Sequence, residues 1–223
     1  MKLFLSGGGS GNKSLILDKK FVELLDKSKP LLYIPIAIDK IKHPYPECLK
    51  WIKNVFNPLG IKDIELWTEE DIIKRSESNL DKFSGIYIGG GNTFYLLNEI
   101  KKSGFINKLK KKIISEMPVY GGSAGAIIFG KTISTSSDDN LVKITDLSGL
   151  NLINDYSIFC HYDKPEEFKW VKHLLSTLKI KKTIALPENS GLFVSGGKIE
   201  VIGPGSSYLP GNKKILRPGE IFQ

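Results

Sequence analysis

The sequence has few cysteines, few arginines and few histidines, and it lacks a long apolar run. Its two cysteines, Cys48 and Cys160, are not spaced as a metal site, and a chain of 223 residues does not need them as a disulfide staple. The longer apolar runs, such as LLYIPIAI, are too short to cross a bilayer, and the run in MKLFLSGGG is too short for a signal peptide. We therefore expect a cytoplasmic protein with no membrane partner.

Positive charge is abundant, but arginine contributes almost none of it. The formal net charge is +8, yet Arg75 and Arg217 are the only arginines among 32 basic residues. Arginine is the residue that recognises guanine and phosphate with paired hydrogen bonds. The densest basic stretch, NKLKKKII, has apolar residues at helical spacing, so its lysines fall mainly on the outer face of an amphipathic helix. We therefore expect no nucleic-acid partner.

Strand-like runs alternate with helical patterns through the first two-thirds of the chain. KLFLSG, LLYIPIAI, DIELW and SGIYIGGGN are typical of strands, and helices are expected over about 93–102, 105–116 and 165–178. This alternation predicts an α/β fold with three αβα layers and a mostly parallel sheet. Short β runs punctuated by Gly, Pro, Asn and Ser predict hairpins in a β-rich C-terminal portion. Because repeats and linkers are absent from the sequence, we expect a single domain over 1–223.

Three stretches follow apolar runs and carry unusual residues: GGGN at 89–92, GGSAG at 121–125 and CHYD at 160–163. In open α/β sheets, active sites form beyond the carboxyl ends of the strands. The sequence therefore predicts a site where these stretches meet. It also predicts that the strand before His161 comes next to the strand before Ser123 in the row of strand ends.

The GGSAG stretch matches the G-x-S-x-G pattern of a nucleophile elbow, with an apolar run before Ser123 and a helix-compatible AIIFG segment close behind it. Small neighbours suit such a turn, because it strains the serine backbone and brings strand and helix close together. The start of the following helix supplies backbone N–H groups for an oxyanion. The alternative interpretation is that the glycines merely let a strand turn sharply into a helix.

A catalytic serine needs a base, and the chain has only three histidines. His173 falls in the middle of a predicted helix, and His43 precedes a proline in a predicted surface loop. His161 stands at the end of an apolar strand and is the natural base. For the acid that orients this base, Glu188, Asp138 and Asp139 all remain candidates, since spacing does not choose among them.

The IYIGGGNTF stretch places a glycine-rich turn after a buried strand. Such a turn brings backbone N–H groups close to a developing oxyanion, and the same geometry would suit a phosphate. However, neither this stretch nor SGGGSGNKS fits the dinucleotide-binding or P-loop patterns. We therefore expect no nucleotide.

Taken together, IGGGNTFYLL, GGSAGAII, a strand-end histidine and ALPENSGLFV resemble the serine peptidase family of dipeptidase E (aspartyl dipeptidase) and cyanophycinase. The order and approximate spacing match over nearly the whole chain, including the opening LFLSGGG. The resemblance implies a fold related to class I glutamine amidotransferases, with serine in place of their cysteine. It also implies a Ser-His-Glu triad in which Ser123 is the nucleophile, His161 the base and Glu188 the orienting acid.

The resemblance further implies which groups surround the nucleophile. The oxyanion would be bound by backbone N–H groups near Gly91 and of Ala124, and Asn92 would line the site. Asp138 falls where the aspartyl dipeptidases have an acid close to the site, which implies a supporting role. In the implied reaction, a serine exopeptidase or dipeptidase hydrolyses short peptides through an acyl-enzyme, and the reaction requires no metal or other cofactor.

One departure from the family concerns specificity. Aspartyl-specific members have an arginine-bearing loop soon after the histidine, whereas HYDKPEEFKWVKH is shorter and contains no arginine. Lys164, Lys169 or Lys172 would have to replace it as point charges, without the bidentate fork of a guanidinium group. The sequence therefore does not predict aspartyl specificity, nor cyanophycin, with its polyaspartate backbone, as the substrate.

Two alternative functions remain beside the peptidase. An esterase of the α/β-hydrolase type would use the chain order Ser123, Asp138, His161, but the histidine follows the serine by only 38 residues and no HGGG-like motif is present. A non-catalytic binding protein would keep the fold but lose part of the triad, and all three residue types are present. The expected partner is a small peptide substrate, and the sequence does not indicate an oligomeric state.

Overall fold

A computed structural model describes residues 1–75, 80–163 and 165–223, the side chains of 165–168 excepted. Twelve strands occur in the described residues, most of them short runs rich in apolar and β-branched side chains. They are β1 (Lys2–Ser6), β2 (Leu31–Ile34), β3 (Ile64–Leu66), β4 (Gly85–Ile88), β5 (Pro118–Gly122), β6 (Ser157–Phe159), β7 (Thr183–Ala185), β8 (Gly191–Ser195), β9 (Lys198–Ile202), β10 (Ser207–Leu209), β11 (Lys214–Leu216) and β12 (Ile221–Phe222).

Seven α-helices occur in the same residues, and they include those expected from the sequence. The predicted helices beginning at Phe105 and Pro165 each end two residues earlier than expected. In the first case Glu116 adopts a left-handed φ of 69°, which a helix cannot continue through. The helices are α1 (Leu15–Val22), α2 (Tyr45–Phe56), α3 (Glu69–Lys74), α4 (Thr93–Lys102), α5 (Phe105–Ile114), α6 (Ala124–Ile127) and α7 (Pro165–Ser176).

The central sheet has eight strands in the order β12-β9-β8-β1-β5-β4-β2-β3. The pairings among β1 to β5 are parallel, whereas those of β8, β9 and β12 are antiparallel. The fold is therefore mixed α/β: the central sheet has four parallel and three antiparallel pairings, and the expected parallel arrangement is confined to β1–β5. The predicted hairpins occur as β8-β9 and β10-β11.

A second sheet, which the sequence did not predict, has four strands in the order β11-β10-β7-β6. β6 pairs with β7 there, so the expected position of the His161 strand next to β5 is wrong. That place is taken by β1, whose Ser6 is in register with Gly122. The reason is that β6 finds its hydrogen-bonding partners in later segments of the chain, and sequence order does not reveal this.

Helices pack on both faces of the central sheet. On one face, Phe4, Tyr33 and Tyr120 pack with α1 and α2, and Phe21 of α1 meets the rings of Phe4 and Tyr120. On the other face, alternating strand residues such as Leu5 pack with α4, α5 and α6. Full burial of one such aromatic side chain stabilises the fold by about 2–3 kcal/mol. The rigid sheet thereby fixes the turns at its carboxyl edge.

Candidate active site

Ser123 lies on a tight turn between β5 and α6, where its backbone has φ 49° and ψ −109°. Such angles are rare for a residue with a side chain and persist only where the surroundings enforce them. Close packing does so here. A Cβ on Gly121 would lie 2.4 Å from the carbonyl oxygen of Gly125, and one on Gly125 would lie 2.3 Å from that of Ile88. Strand and helix therefore hold the half-buried serine at the edge of the sheet.

His161 follows β6 and reaches Ser123 from the second sheet. Its Nε2 lies 2.8 Å from the Ser123 Oγ, within hydrogen-bonding distance. Its backbone N–H donates to the carbonyl oxygen of Gly7 over 3.0 Å, which ties the second sheet to the turn after β1. The imidazole lies against Gly8, where a Cβ would be 2.3 Å from the ring Cε1. The glycine-rich turn after β1 thus forms one wall of the site.

Glu188 follows β7 and lies on the far side of the imidazole. Its Oε1 is 3.1 Å from the His161 Nδ1, and its Oε2 accepts a hydrogen bond of 2.6 Å from the Lys13 ammonium group. The hydrogen bond from Lys13, assisted by that from His161, holds the pKa of the Glu188 carboxyl below its usual value, although partial burial acts in the opposite direction. The carboxylate is therefore kept ionised beside the imidazole.

Lys13 was missed by the sequence analysis. It lies in SGGGSGNKS, a glycine-rich stretch that fits no phosphate-binding pattern. The signal that could have drawn attention to it is its position just after the turn of the first strand, at the same sheet edge as the other site residues.

Asp138 lies near the serine but does not contact the histidine. Its carboxylate accepts hydrogen bonds from the Thr93 N–H (2.8 Å), the Thr93 hydroxyl (2.7 Å) and the Ser136 hydroxyl (2.8 Å). It therefore caps the start of α4. It also lines a cavity of about 290 Å³ together with Ser123 and His161. The other acid considered, Asp139, is exposed, and the carboxylate paired with His161 in the structure is that of Glu188.

The GGGN turn lies beside the serine on the opposite side from the β1 turn. A Cβ on Gly90 would lie 3.2 Å from the Ser123 Cβ, and Gly91 has a φ of 132° that brings it against Ala37. The Asn92 amide is occupied in local structure: its oxygen accepts from the Tyr95 N–H and its nitrogen donates to the carbonyl oxygen of Asp139, each over 2.9 Å. Asn92 thus orders the turn that approaches Ser123.

A larger cavity of about 410 Å³ opens beside Ser123, between the turns after β1 and β4. Its walls include aromatic side chains from β2, α2 and β4, which the sequence analysis did not assign to the site because they come from distant parts of the chain. His43, expected in a surface loop, is exposed and lies at this cavity. The larger side chains that line the cavity are the aromatic Tyr33, Trp51 and Tyr87 together with His43, Glu47 and Cys48.

Two of the lysines considered as replacements for the family arginine, Lys169 and Lys172, are not among the residues that line these cavities. Lys169 and Lys172 are exposed on α7, and Lys164 lies outside the described residues. His173 lies on the same helix, with its ring 5.0 Å from that of Trp170. Within the part of the chain that the structure describes, no group of three or more side chains is arranged to hold a metal ion. None of the helices described is long and apolar enough to cross a membrane.

The model of peptidase family S51 matches residues 3–202. The chain belongs to this family. It is accordingly a serine peptidase, a hydrolase of peptide bonds.

Individual relatives agree with this classification. A peptidase E from Shewanella denitrificans is 26% identical over 93% of this chain and 89% of its own, and one from Haemophilus influenzae is 26% identical over 82% and 84%. Among solved structures, a peptidase from an acI-B1 actinobacterium has a TM-score of 0.77 at 21% identity, covering all of this chain and 96% of its own. A Listeria monocytogenes protein described as a candidate peptidase E has a TM-score of 0.71 at 23% identity, covering 92% and 98%. These two structures share the fold of this S51 member.

Proposed function

We propose that this S51 peptidase is a serine exopeptidase that hydrolyses short peptides, dipeptides among them, through a Ser-His-Glu triad. The observation that carries the proposal is a chain of two contacts through the imidazole of His161. The Ser123 Oγ lies 2.8 Å from Nε2, and the Glu188 Oε1 lies 3.1 Å from Nδ1. A serine held on a strained turn, a base within hydrogen-bonding reach and an acid that orients the base form the unit required for nucleophilic catalysis.

In the proposed reaction, Ser123 attacks the peptide carbonyl carbon while His161 removes its proton. The tetrahedral intermediate collapses as His161 donates that proton to the leaving amine, which breaks the C–N bond and leaves an acyl-enzyme. Water, activated by the same imidazole, then hydrolyses the ester. Glu188 stays ionised throughout and stabilises the imidazolium, and the bond from Lys13 favours that state.

We assign the oxyanion to backbone N–H groups near Gly91 and of Ala124. Ala124 is the first residue of α6, so its N–H has no partner within the helix. Gly91 belongs to the turn that approaches Ser123 most closely from β4, and its φ of 132° suits glycine. Asp138 and Asn92 have the supporting role of ordering this turn and α4.

We also propose one peptidase domain over 1–223 with the three-layer arrangement of class I glutamine amidotransferases. The packing of helices on both faces of the central sheet supports this arrangement. The two cysteines are buried and free, which suits the proposed location in the cytoplasm.

Hydrolysis of a dipeptide panel with acidic and neutral N-terminal residues, by wild type and Ser123→Ala in parallel, tests the proposal. We expect the substitution to lower kcat by a factor on the order of 10⁴ or more, because the triad acts as a unit. A variant that cleaves peptides as fast as wild type would contradict it. Turnover of esters with no cleavage of any peptide would favour the esterase.

A further inference from the structure

We propose that the 410 Å³ cavity beside Ser123 is a binding pocket for an uncharged, apolar side chain of the peptide, aromatic or branched aliphatic, on one of the two residues that flank the scissile bond. The inference rests on the proposed function, since it names the substrate class of the same site. We call this cavity the aromatic pocket, and its walls are formed by Tyr33, Trp51 and Tyr87.

The three rings line the cavity and pack against one another, with Tyr33 and Tyr87 largely buried behind Trp51. The ring centroid of Trp51 lies 6.3 Å from that of Tyr33 and 6.2 Å from that of Tyr87, and the two tyrosine centroids are 5.6 Å apart. Trp51 is 38% exposed and lines the cavity, so part of its ring is open to a ligand. A ligand side chain seated against it would bury this surface and add aromatic contacts. The cavity is large enough to hold a phenylalanine or leucine side chain.

The inner walls carry no formal charge. Burial raises the pKa of the Tyr87 hydroxyl well above its usual value, and burial likewise raises that of the Cys48 thiol, so both are neutral at physiological pH. The Tyr87 hydroxyl lies at the base of the pocket, 3.0 Å from where a Cβ on Gly122 would be. The pocket therefore reaches as far as the residue that precedes the nucleophile.

The charges around the pocket disfavour an acidic side chain. Among the described residues that line it there is no lysine or arginine, whereas Glu47 contributes a carboxylate. Lys40 and Lys42, which line the adjoining cavity, are paired with the carboxylates of Glu69 (2.7 Å) and Asp39 (3.6 Å). Lys13 is engaged by Glu188. The one basic side chain among the described lining residues is the exposed imidazole of His43. An aspartate seated against the aromatic rings would therefore lose its hydration without meeting a lysine or arginine, which is unfavourable.

Kinetics with paired substrates tests the pocket directly. Dipeptides with Phe, Leu, Ala or Asp at either position are compared by kcat/KM. We expect kcat/KM for Phe or Leu to exceed that for Asp by about tenfold or more at one position.

Two substitutions in the pocket should change these preferences. Trp51→Ala should lower the ratio of kcat/KM for Phe substrates to that for Ala substrates by about tenfold, and Glu47→Gln should raise the relative kcat/KM for Asp substrates. Ile73→Ala, a substitution of an exposed residue on α3, serves as the control that leaves these ratios unchanged.

Binding to the Ser123→Ala variant separates the pocket from the reaction. Tryptophan emission is titrated with Phe-Ala, Ala-Phe, Asp-Ala and Ala-Asp, and the titration is repeated with Ser123→Ala/Trp51→Phe. We expect a saturable change in tryptophan emission that is lost when Trp51 is replaced. The change should be larger with a Phe peptide than with an Asp peptide. If no peptide is cleaved but this change occurs, the proposed function fails and the pocket stands. Preference for Asp at both positions, or no change that depends on Trp51, would overturn the pocket.

Discussion

The imidazole of His161 is enclosed by Ser123 on one side, Glu188 on the other and the backbone of Gly8 against its ring. Gly8 has a φ of 106°, and a Cβ there would lie 2.3 Å from the ring Cε1 and 2.7 Å from Nε2. Since real Cβ atoms do not approach so closely, a side chain at this position must displace either the ring or the turn. Because Gly8 has no side chain, the turn leaves room for the imidazole of the proposed triad.

Gly8→Ala should therefore inactivate the enzyme without touching a triad residue. A displacement of the imidazole by about 1 Å is expected to lower kcat roughly 100-fold. Peptide hydrolysis and thermal unfolding are measured on the same preparations. Gly11→Ala is the matched control, because Gly11 lies in the same loop at a φ of 61° with open space around its Cβ position. It should lose about 1–2 kcal/mol of stability and keep its activity. Equal activity of the two variants would contradict the assigned role of Gly8.

At the scale of elements, α1 is held beneath this loop by a buried carboxyl group. Asp18 is 3% exposed, and its carboxylate accepts a hydrogen bond of 2.7 Å from the Ser14 hydroxyl. Burial raises the pKa of Asp18 to about 6, and hydrogen bonds from Ser14 and Tyr120 only partly offset this effect. Asp18 thus links α1 to β5, the strand that leads to Ser123.

The raised pKa of Asp18 predicts the pH dependence of stability. Between about pH 4 and pH 6 the folded state holds the proton that the unfolded state releases, so the contribution of Asp18 to stability falls as pH rises. In Asp18→Asn the side chain does not titrate, so the variant does not lose stability in this way as pH rises. The free energy of unfolding of the variant relative to wild type should therefore rise by about 2–3 kcal/mol from pH 4 to pH 7. Urea denaturation at several pH values measures it, with the exposed Asp63→Asn as control. A constant difference across this range would disprove the assignment.

At the scale of the whole molecule, the alternating pattern of strands and helices could be predicted because each element carries its own periodicity. Strand order was harder to predict. Ser123, His161 and Glu188 follow β5, β6 and β7, and only β5 belongs to the central sheet. The second sheet forms through pairings between distant segments, and no local pattern encodes them.

The same limit applies to the surroundings of Ser123. The glycine pattern around it was recognisable in the sequence, because close approach of strand and helix requires small residues there. The roles of Gly8 and of the aromatic pocket depend on which turns meet at the sheet edge. Their roles could not be inferred until the position of β1 next to β5 was known.

Covalent trapping shows whether Ser123 is the nucleophile. Wild type and Ser123→Ala are treated with a fluorophosphonate, and the intact masses and the modified peptide are determined. We expect one adduct on wild type, located on Ser123, and none on the variant. An adduct on another residue, or equal modification of both proteins, would contradict this assignment.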